Sequence, residues 1–276
     1  MRTASVTALF RRGETPFAMT SQAPAASKPP APPDAGLPAR SRPYSCSTCA
    51  FSDACCSEGY DEGTVAQLQA MLVDEVSHYE EGEHIFREGD PFDAIAAVRA
   101  GTVKTYILDR EGREQVLGFF LPGEVIGLNA IHPQIYPCNA VALDTVVLCR
   151  FSFQRMSALA RQMPGLQERL FRLLSEDIGK AALLSGDFSA DERMAAFLVS
   201  LSRRYARRGF SGTRFHLPMA RTDIANYLRL APETVSRVLR RMRTDGILDI
   251  DRRELRIRDL PRLEMMAEPI LRDHVH

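Results

Sequence analysis

The sequence predicts an α+β fold: an N-terminal β-roll, a long helix, and a compact C-terminal unit of two short helices with a strand pair. Three observations predict it. Glycines recur at Gly82, Gly89, Gly101, Gly112 and Gly123, mostly 11 to 12 residues apart, between short β-prone segments such as Thr102-Val-Lys-Thr-Tyr-Ile-Leu108; regular turn signals of this kind mark a small antiparallel sandwich or roll. Leucines then recur at intervals of four and three, the spacing of one helical face. Last, two helix-start signals lie close together, at Thr222-Asp223 and at Pro232, ahead of the segment Leu248-Asp-Ile-Asp-Arg-Arg-Glu-Leu-Arg-Ile257.

Each element follows in chain order. Residues 1–42 are rich in Pro and Ala, a composition that resists helix and strand and cannot bury a core, so a disordered tail is expected there. Residues 43–60 hold four of the six cysteines, and residues 61–155 form the roll. A helix is expected over 156–188, with Leu166, Leu170, Leu174, Ile178 and Ala181 along one narrow stripe. A stripe joining two domains makes a seam for a homodimer; the plainer alternative is a helix packed on its own domain. Ser189-Ala-Asp-Glu192 offers a capping box for a further helix over 190–208, opening the C-terminal domain of residues 189–276.

Composition narrows the classes. The 276 residues are 45% hydrophobic and 25% charged, as in a water-soluble globular protein, and the length suits two domains. No run approaches the ~18 uncharged apolar residues of a membrane span, and the first residues lack the apolar stretch of a signal peptide, so the expected location is the cytoplasm with no membrane partner. Six cysteines are too few for a disulfide scaffold; clustered thiols in a reducing compartment read as metal ligands. The net charge of zero hides an asymmetry, because residues 191–276 carry 18 Lys/Arg against 12 Asp/Glu and the remainder 17 against 23. A basic C-terminal domain fits contact with phosphate.

The two close helices suggest a helix-turn-helix, and the strand pair after them a wing. Thr222-Asp223 is expected to cap the first helix, which runs to Leu228, and Pro232 suits the first turn of the second. On that second helix Glu233, Ser236, Arg237 and Arg240 share a face, and Val235, Val238, Leu239 and Met242 supply the inward side. Such a helix can enter the major groove of double-stranded DNA. Arg237 can donate a bidentate pair to guanine, Glu233 can accept from cytosine N4, and Ser236 can approach a thymine edge. Arg221, Thr222, Arg240, Arg241 and Arg243 are placed for phosphate, which gives affinity without sequence choice.

Cys46-Ser-Thr-Cys49-Ala-Phe-Ser-Asp-Ala-Cys55 gives C-x2-C-x5-C, compact enough for three thiolates to converge on one centre, and a fourth ligand is then needed. Zinc would take four thiolates in a closed tetrahedral site, and an iron-sulfur cluster needs the same thiolates set further apart. Spacing alone leaves both open, and Cys56 is a spare thiol.

The chain resembles the FNR (fumarate and nitrate reduction) regulators, the oxygen-sensing branch of the CRP-type transcription factors, over about residues 44–270. The resemblance is carried by the C-x2-C-x5-C entry and by Phe86-Arg-Glu-Gly89-Asp, Ala100-Gly-Thr-Val-Lys-Thr105, Gly123-Glu-Val-Ile-Gly127 and Val147-Leu-Cys149-Arg-Phe. Leu201-Ser-Arg-Arg-Tyr-Ala-Arg-Arg-Gly-Phe210, Asp223-Ile-Ala-Asn-Tyr-Leu228 and Glu233-Thr-Val-Ser-Arg237 extend it. It implies a roll like those that bind cyclic nucleotides, and a 4Fe-4S cluster on Cys46, Cys49, Cys55 and Cys149, with Cys138 as rival fourth ligand. It further implies that oxygen degrades the cluster and weakens the dimer, that Glu233, Ser236 and Arg237 read DNA, and that the half-site is similar to TTGAT in a palindrome. RNA polymerase is an implied partner at the turn Asp109-Arg-Glu-Gly112.

Three departures stand out. Related cyclic-AMP receptors hold the nucleotide with a roll Glu and an Arg-Ser pair, where this chain has Leu128 and Cys138-Asn139, so control by a cyclic nucleotide is not expected. Ala181 replaces a frequent carboxylate in the dimer seam, removing a like-charge repulsion. Arg229 occupies the inter-helix turn where Gly is usual, a strained choice if φ is positive. The opposing classes are an iron-sulfur electron-transfer protein or enzyme and a zinc- or thiol-controlled DNA-binding regulator. Against an enzyme, His78, His84, His132, His216, His274 and His276 are scattered singly, with no phosphate loop or paired-carboxylate motif.

Overall fold

The structure, a computed structural model, describes residues 73–161, 164–182 and 186–272, and of residues 73, 74, 176–182 and 272 the backbone alone. The expected tail 1–42, the cysteine segment 43–60 and residues 61–72 of the expected roll lie outside the described residues.

Eight strands build the roll: β1 (Val73–Tyr79), β2 (His84–Phe86), β3 (Ile95–Ala100), β4 (Val103–Leu108), β5 (Glu114–Phe120), β6 (Val125–Ile126), β7 (Asn139–Ala142) and β8 (Val146–Phe151). They form two antiparallel sheets, ordered β1-β8-β3-β6 and β2-β7-β4-β5. The five turn glycines all take positive φ, between 77° and 88°. At Gly101 a side chain is also excluded by space, since a Cβ there would lie 2.4 Å from the Thr145 carbonyl oxygen.

Strand β3 reads Ile-Ala-Ala-Val buried without alternation, and its packing explains why. Ala96 and Val98 face the roll interior with Phe86, Ile126, Tyr136 and Leu148, and Ile95 and Ala97 face a second cluster containing Phe151, Met156, Leu166 and Leu173. The sheet is thus covered on both faces, by its partner sheet and by helices. Those helices are α1 (Phe153–Ala160), capped by the Ser152 hydroxyl, and α2 (Pro164–Ala182). The single helix expected over 156–188 is therefore two, with α2 restarting at Pro164, a residue suited to a first turn.

The C-terminal part begins with α3 (Ala190–Arg207), where the Ser189–Glu192 capping box forms in both directions. Strand β9 (Arg214–His216), α4 (Arg221–Leu228), α5 (Pro232–Thr244), β10 (Leu248–Asp251) and β11 (Glu254–Ile257) follow. The three strands make one antiparallel sheet, β10-β11-β9. A final helix, α6 (Leu260–Arg272), packs on α3 and was not foreseen in the sequence. Its signal was present in Leu263, Ala267 and Ile270, spaced four and three apart and all buried, but Pro261 and Pro269 mask it. Pro261 is tolerated because it stands in the first turn.

Candidate nucleic-acid interface

Helix α5 separates its two faces as its sequence dictates. Val235, Val238, Leu239 and Met242 are buried, and Glu233, Ser236, Arg237 and Arg240 are exposed. Pro232 starts the helix, and Glu233 places its carboxylate in the first turn, where the helix dipole favours a negative charge. Arg237 is tethered only loosely, its Nη2 donating to Thr234 Oγ1 at 3.4 Å. The side chains that can reach base edges thus stand together on one solvent-facing surface.

Helix α4 buries Ile224, Ala225 and Leu228 beneath α5. The expected Thr222-Asp223 cap does not form: α4 starts at Arg221 with Ala220 in the cap position and no side-chain acceptor, and Asp223 turns to Lys104 of the roll at 3.0 Å. A charged partner held the carboxylate more strongly than the helix amides did. The turn between α4 and α5 closes through Arg229, at φ 55° and ψ 46°, whose N–H donates to the last carbonyls of α4. A side chain in this left-handed region costs about 1–2 kcal/mol relative to the right-handed one.

The five residues expected on phosphate separate into groups. Arg240 and Arg243 are exposed and pair with no carboxylate among the described residues, and Thr222 is exposed on α4. Arg221 is half-buried; desolvation lowers its pKa, and its Nη1 is buried with no hydrogen-bond partner. A guanidinium in that state is stabilised by any anion that reaches it. Arg241 differs from the others in that its guanidinium is paired with Asp191 in the first turn of α3.

Behind the reader, β10 and β11 pair from Leu248↔Ile257 to Asp251↔Glu254, and Arg252 at φ 54° forms their tip. This is the wing that the alternating segment predicts.

Cys46, Cys49, Cys55 and Cys56 lie outside the described residues, and among the described residues no group of three or more His, Cys, Asp or Glu could hold a metal. The two candidate fourth ligands differ sharply. Cys138 is 1% exposed in the roll interior, with the Asn129 amide 3.6 Å from its sulfur. Cys149 lies within β8, between Val76 of β1 and Ala97 of β3. Alternation sends Val146 and Leu148 into the roll and Cys149 and Phe151 toward the helices, where Cys149 is partly exposed at the edge of the cluster that holds Leu166, Leu170 and Leu174.

That cluster corrects the expected seam. Leu166 is fully buried within its own chain, and Leu170 and Leu174 pack partly on the same cluster; the side chains of Ile178 and Ala181 are not described. The plainer reading of the stripe holds for its first half, because β3 leaves an apolar face that α2 must cover. Among the described residues of α2 the large apolar side chain left outward is Phe171, 61% exposed and missed from sequence, although position 178 follows it by seven on the same helical face.

Where a cyclic-nucleotide clamp would stand, Leu128 and Cys138 are buried in apolar clusters, and Asn139 is buried with its Oδ1 accepting from the Glu88 N–H at 3.2 Å.

A roll, a connecting helix and a winged helix-turn-helix with an exposed reader face define a transcription regulator of the CRP type. Family models agree, since residues 76–163 match the cyclic nucleotide-binding domain and residues 192–266 the Crp-like helix-turn-helix domain. The chain belongs to the FNR family. It is 39% identical over 219 residues to the transcriptional activator protein anr of Pseudomonas aeruginosa, covering 78% of this chain and 88% of that one. It is 36% identical over 225 residues to the fumarate and nitrate reduction regulatory protein of Salmonella typhi, covering 80% and 90%. Among solved structures it is similar to FixK2 from Bradyrhizobium japonicum, with a TM-score of 0.64 and 31% identity over 71% of this chain and 98% of that one. The chain is accordingly a DNA-binding transcription regulator, and no described helix is long and apolar enough to cross a membrane.

Proposed function

We propose that this regulator responds to oxygen through a 4Fe-4S cluster held by Cys46, Cys49, Cys55 and Cys149, and that as a homodimer it binds a palindrome of TTGAT-type half-sites. The observation that carries the reading is the position of Cys149, partly exposed on the one face of β8 that packs against α2. Bound there, a cluster supplies an oxygen-labile centre, and Cys149 is the thiolate that ties it to the rigid sheet. The physical route onward is short. Cys149 shares an apolar cluster with Leu170 and Leu174, so a shift of its strand is felt by α2, and α2 carries Phe171 toward a second copy. Two readers on one dimer then bind two half-sites together, with Glu233, Ser236 and Arg237 on the bases and Arg221, Thr222, Arg240 and Arg243 on the phosphates.

Cyclic nucleotide has no role in this reading, because buried Leu128 and Cys138 fill the place of its clamp. RNA polymerase docks at the turn 109–112, which is held in shape by the Asp109 carboxylate accepting from the backbone N–H groups of Glu111 and Arg113 at 2.9 Å each.

Iron, acid-labile sulfide and visible absorbance of protein purified without oxygen test the cofactor. Cys149→Ala is expected to lose the cluster, and Cys138→Ala to retain it with a stability loss of roughly 1 kcal/mol from the small cavity. A full cluster in Cys149→Ala, or zinc in the native chain, overturns the proposal.

A further inference from the structure

Helix α4 meets the roll along one face, on which Asp223, Asn226 and Tyr227 stand at i, i+3 and i+4. The Asn226 carboxamide makes two bonds to the same strand. Its Oδ1 accepts from the Val116 N–H at 2.7 Å, and its Nδ2 donates to the Glu114 carbonyl at 2.5 Å. Strand β5 is the edge of its sheet, so these two backbone groups point away from β4 and would face no partner strand. The N–H and C=O of one residue on a neighbouring parallel strand would make the same pair of bonds, and the side-chain amide stands in for them. Beside it the ladder steps from Thr105↔Gly118 to Tyr106↔Val116, leaving Leu117 as a bulge that bends the strand at the docking point.

Two further contacts fix the same helix face. Asp223 Oδ1 receives Lys104 Nζ at 3.0 Å, and Lys104 also donates to Glu114 at 2.7 Å with its side chain only 9% exposed. Burial works against that ammonium, yet its hydrogen bonds to the Glu114 and Asp223 carboxylates and their negative charges outweigh it and raise its pKa. The Tyr227 ring meets Phe119 of β5 edge-on, 5.4 Å between centroids. Aromatic contact alone would let the helix roll or slide along the strand; a planar amide bonded at both ends fixes its register.

We infer that Asn226 is a positioning residue for DNA recognition: without touching DNA, it registers α4, and through the tight turn at Arg229 the reader helix α5, against the roll. In a dimer this sets the distance and angle at which two readers meet the duplex. The inference rests on the dimeric DNA-binding reading above.

Full-length chain purified without oxygen is titrated with TTGAT palindromes whose half-site spacing is varied one base pair at a time, and with a single half-site. The native protein is expected to favour one spacing. Asn226→Ala should narrow that preference by about tenfold, the worth of two neutral hydrogen bonds, and leave base discrimination within the half-site unchanged. Amide hydrogen exchange at Val116 should speed up in step, and Asn226→Asp, which keeps the acceptor and loses the donor, should fall between. An unchanged spacing preference, or an unchanged Val116 exchange rate, in Asn226→Ala overturns the inference. Failure of the native chain to bind any palindrome would instead sink the proposed reading of a dimer on TTGAT half-sites, and the Val116 comparison would still decide whether the amide holds the strand.

Discussion

At the residue scale, position decides what an arginine does. Arg237 is exposed on the reader face, and Arg240 is exposed one turn on with no carboxylate partner among the described residues. Arg237→Ala is expected to cost ~1–3 kcal/mol of discrimination against a half-site altered at one guanine, measured as a ratio of affinities. Arg240→Ala should weaken all sequences alike and flatten the salt dependence by about one phosphate contact. Arg241 looks identical in sequence and differs in structure, because Asp191 on α3 claims it. That pairing spans 50 residues, a separation no local pattern discloses. Arg229, by contrast, stood out in the sequence: where Gly is usual in the inter-helix turn, an Arg is strained if φ is positive, and φ is 55°. Arg229→Gly should stabilise the protein by roughly 1 kcal/mol in denaturant unfolding, since the left-handed penalty disappears and is only partly offset by the added backbone entropy.

At the scale of elements, α2 has two faces with two tasks. The inward face exists because β3 is apolar on both sides, and Leu166 is fully buried in it. Leu166→Ala is therefore expected to cost about 2–5 kcal/mol of stability. Phe171 stands outside that cluster, and Phe171→Ser should leave monomer stability nearly unchanged while raising the concentration at which sedimentation shows a dimer. Equal effects of the two substitutions on unfolding would contradict the division of faces. Leucine periodicity announced the helix but not which stripe faced inward, because the sequence does not state that the roll leaves a face uncovered. The capping box at Ser189 needed no such knowledge, since its partner Glu192 lies three residues on.

For the whole molecule, the roll, the reader and its wing were legible in turn glycines, helix-start signals and alternation, all local properties. What escaped were the contacts that join parts distant in the chain: Lys104 with Asp223, Asn226 with the edge of β5, and α6 folded back on α3. The thiolates are the reverse case, prominent in sequence, with Cys149 alone of the proposed four among the described residues. In the proposed mechanism oxygen controls sequence-specific DNA binding through Cys149 and α2. The most direct measurement is a fluorescence-anisotropy titration of a TTGAT palindrome, and of a scrambled duplex, with protein purified without oxygen, repeated after exposure to air. The account predicts tight, selective binding before exposure and a fall toward the affinity of the scrambled duplex afterwards, in step with loss of visible absorbance. Selective binding that survives air unchanged would contradict it.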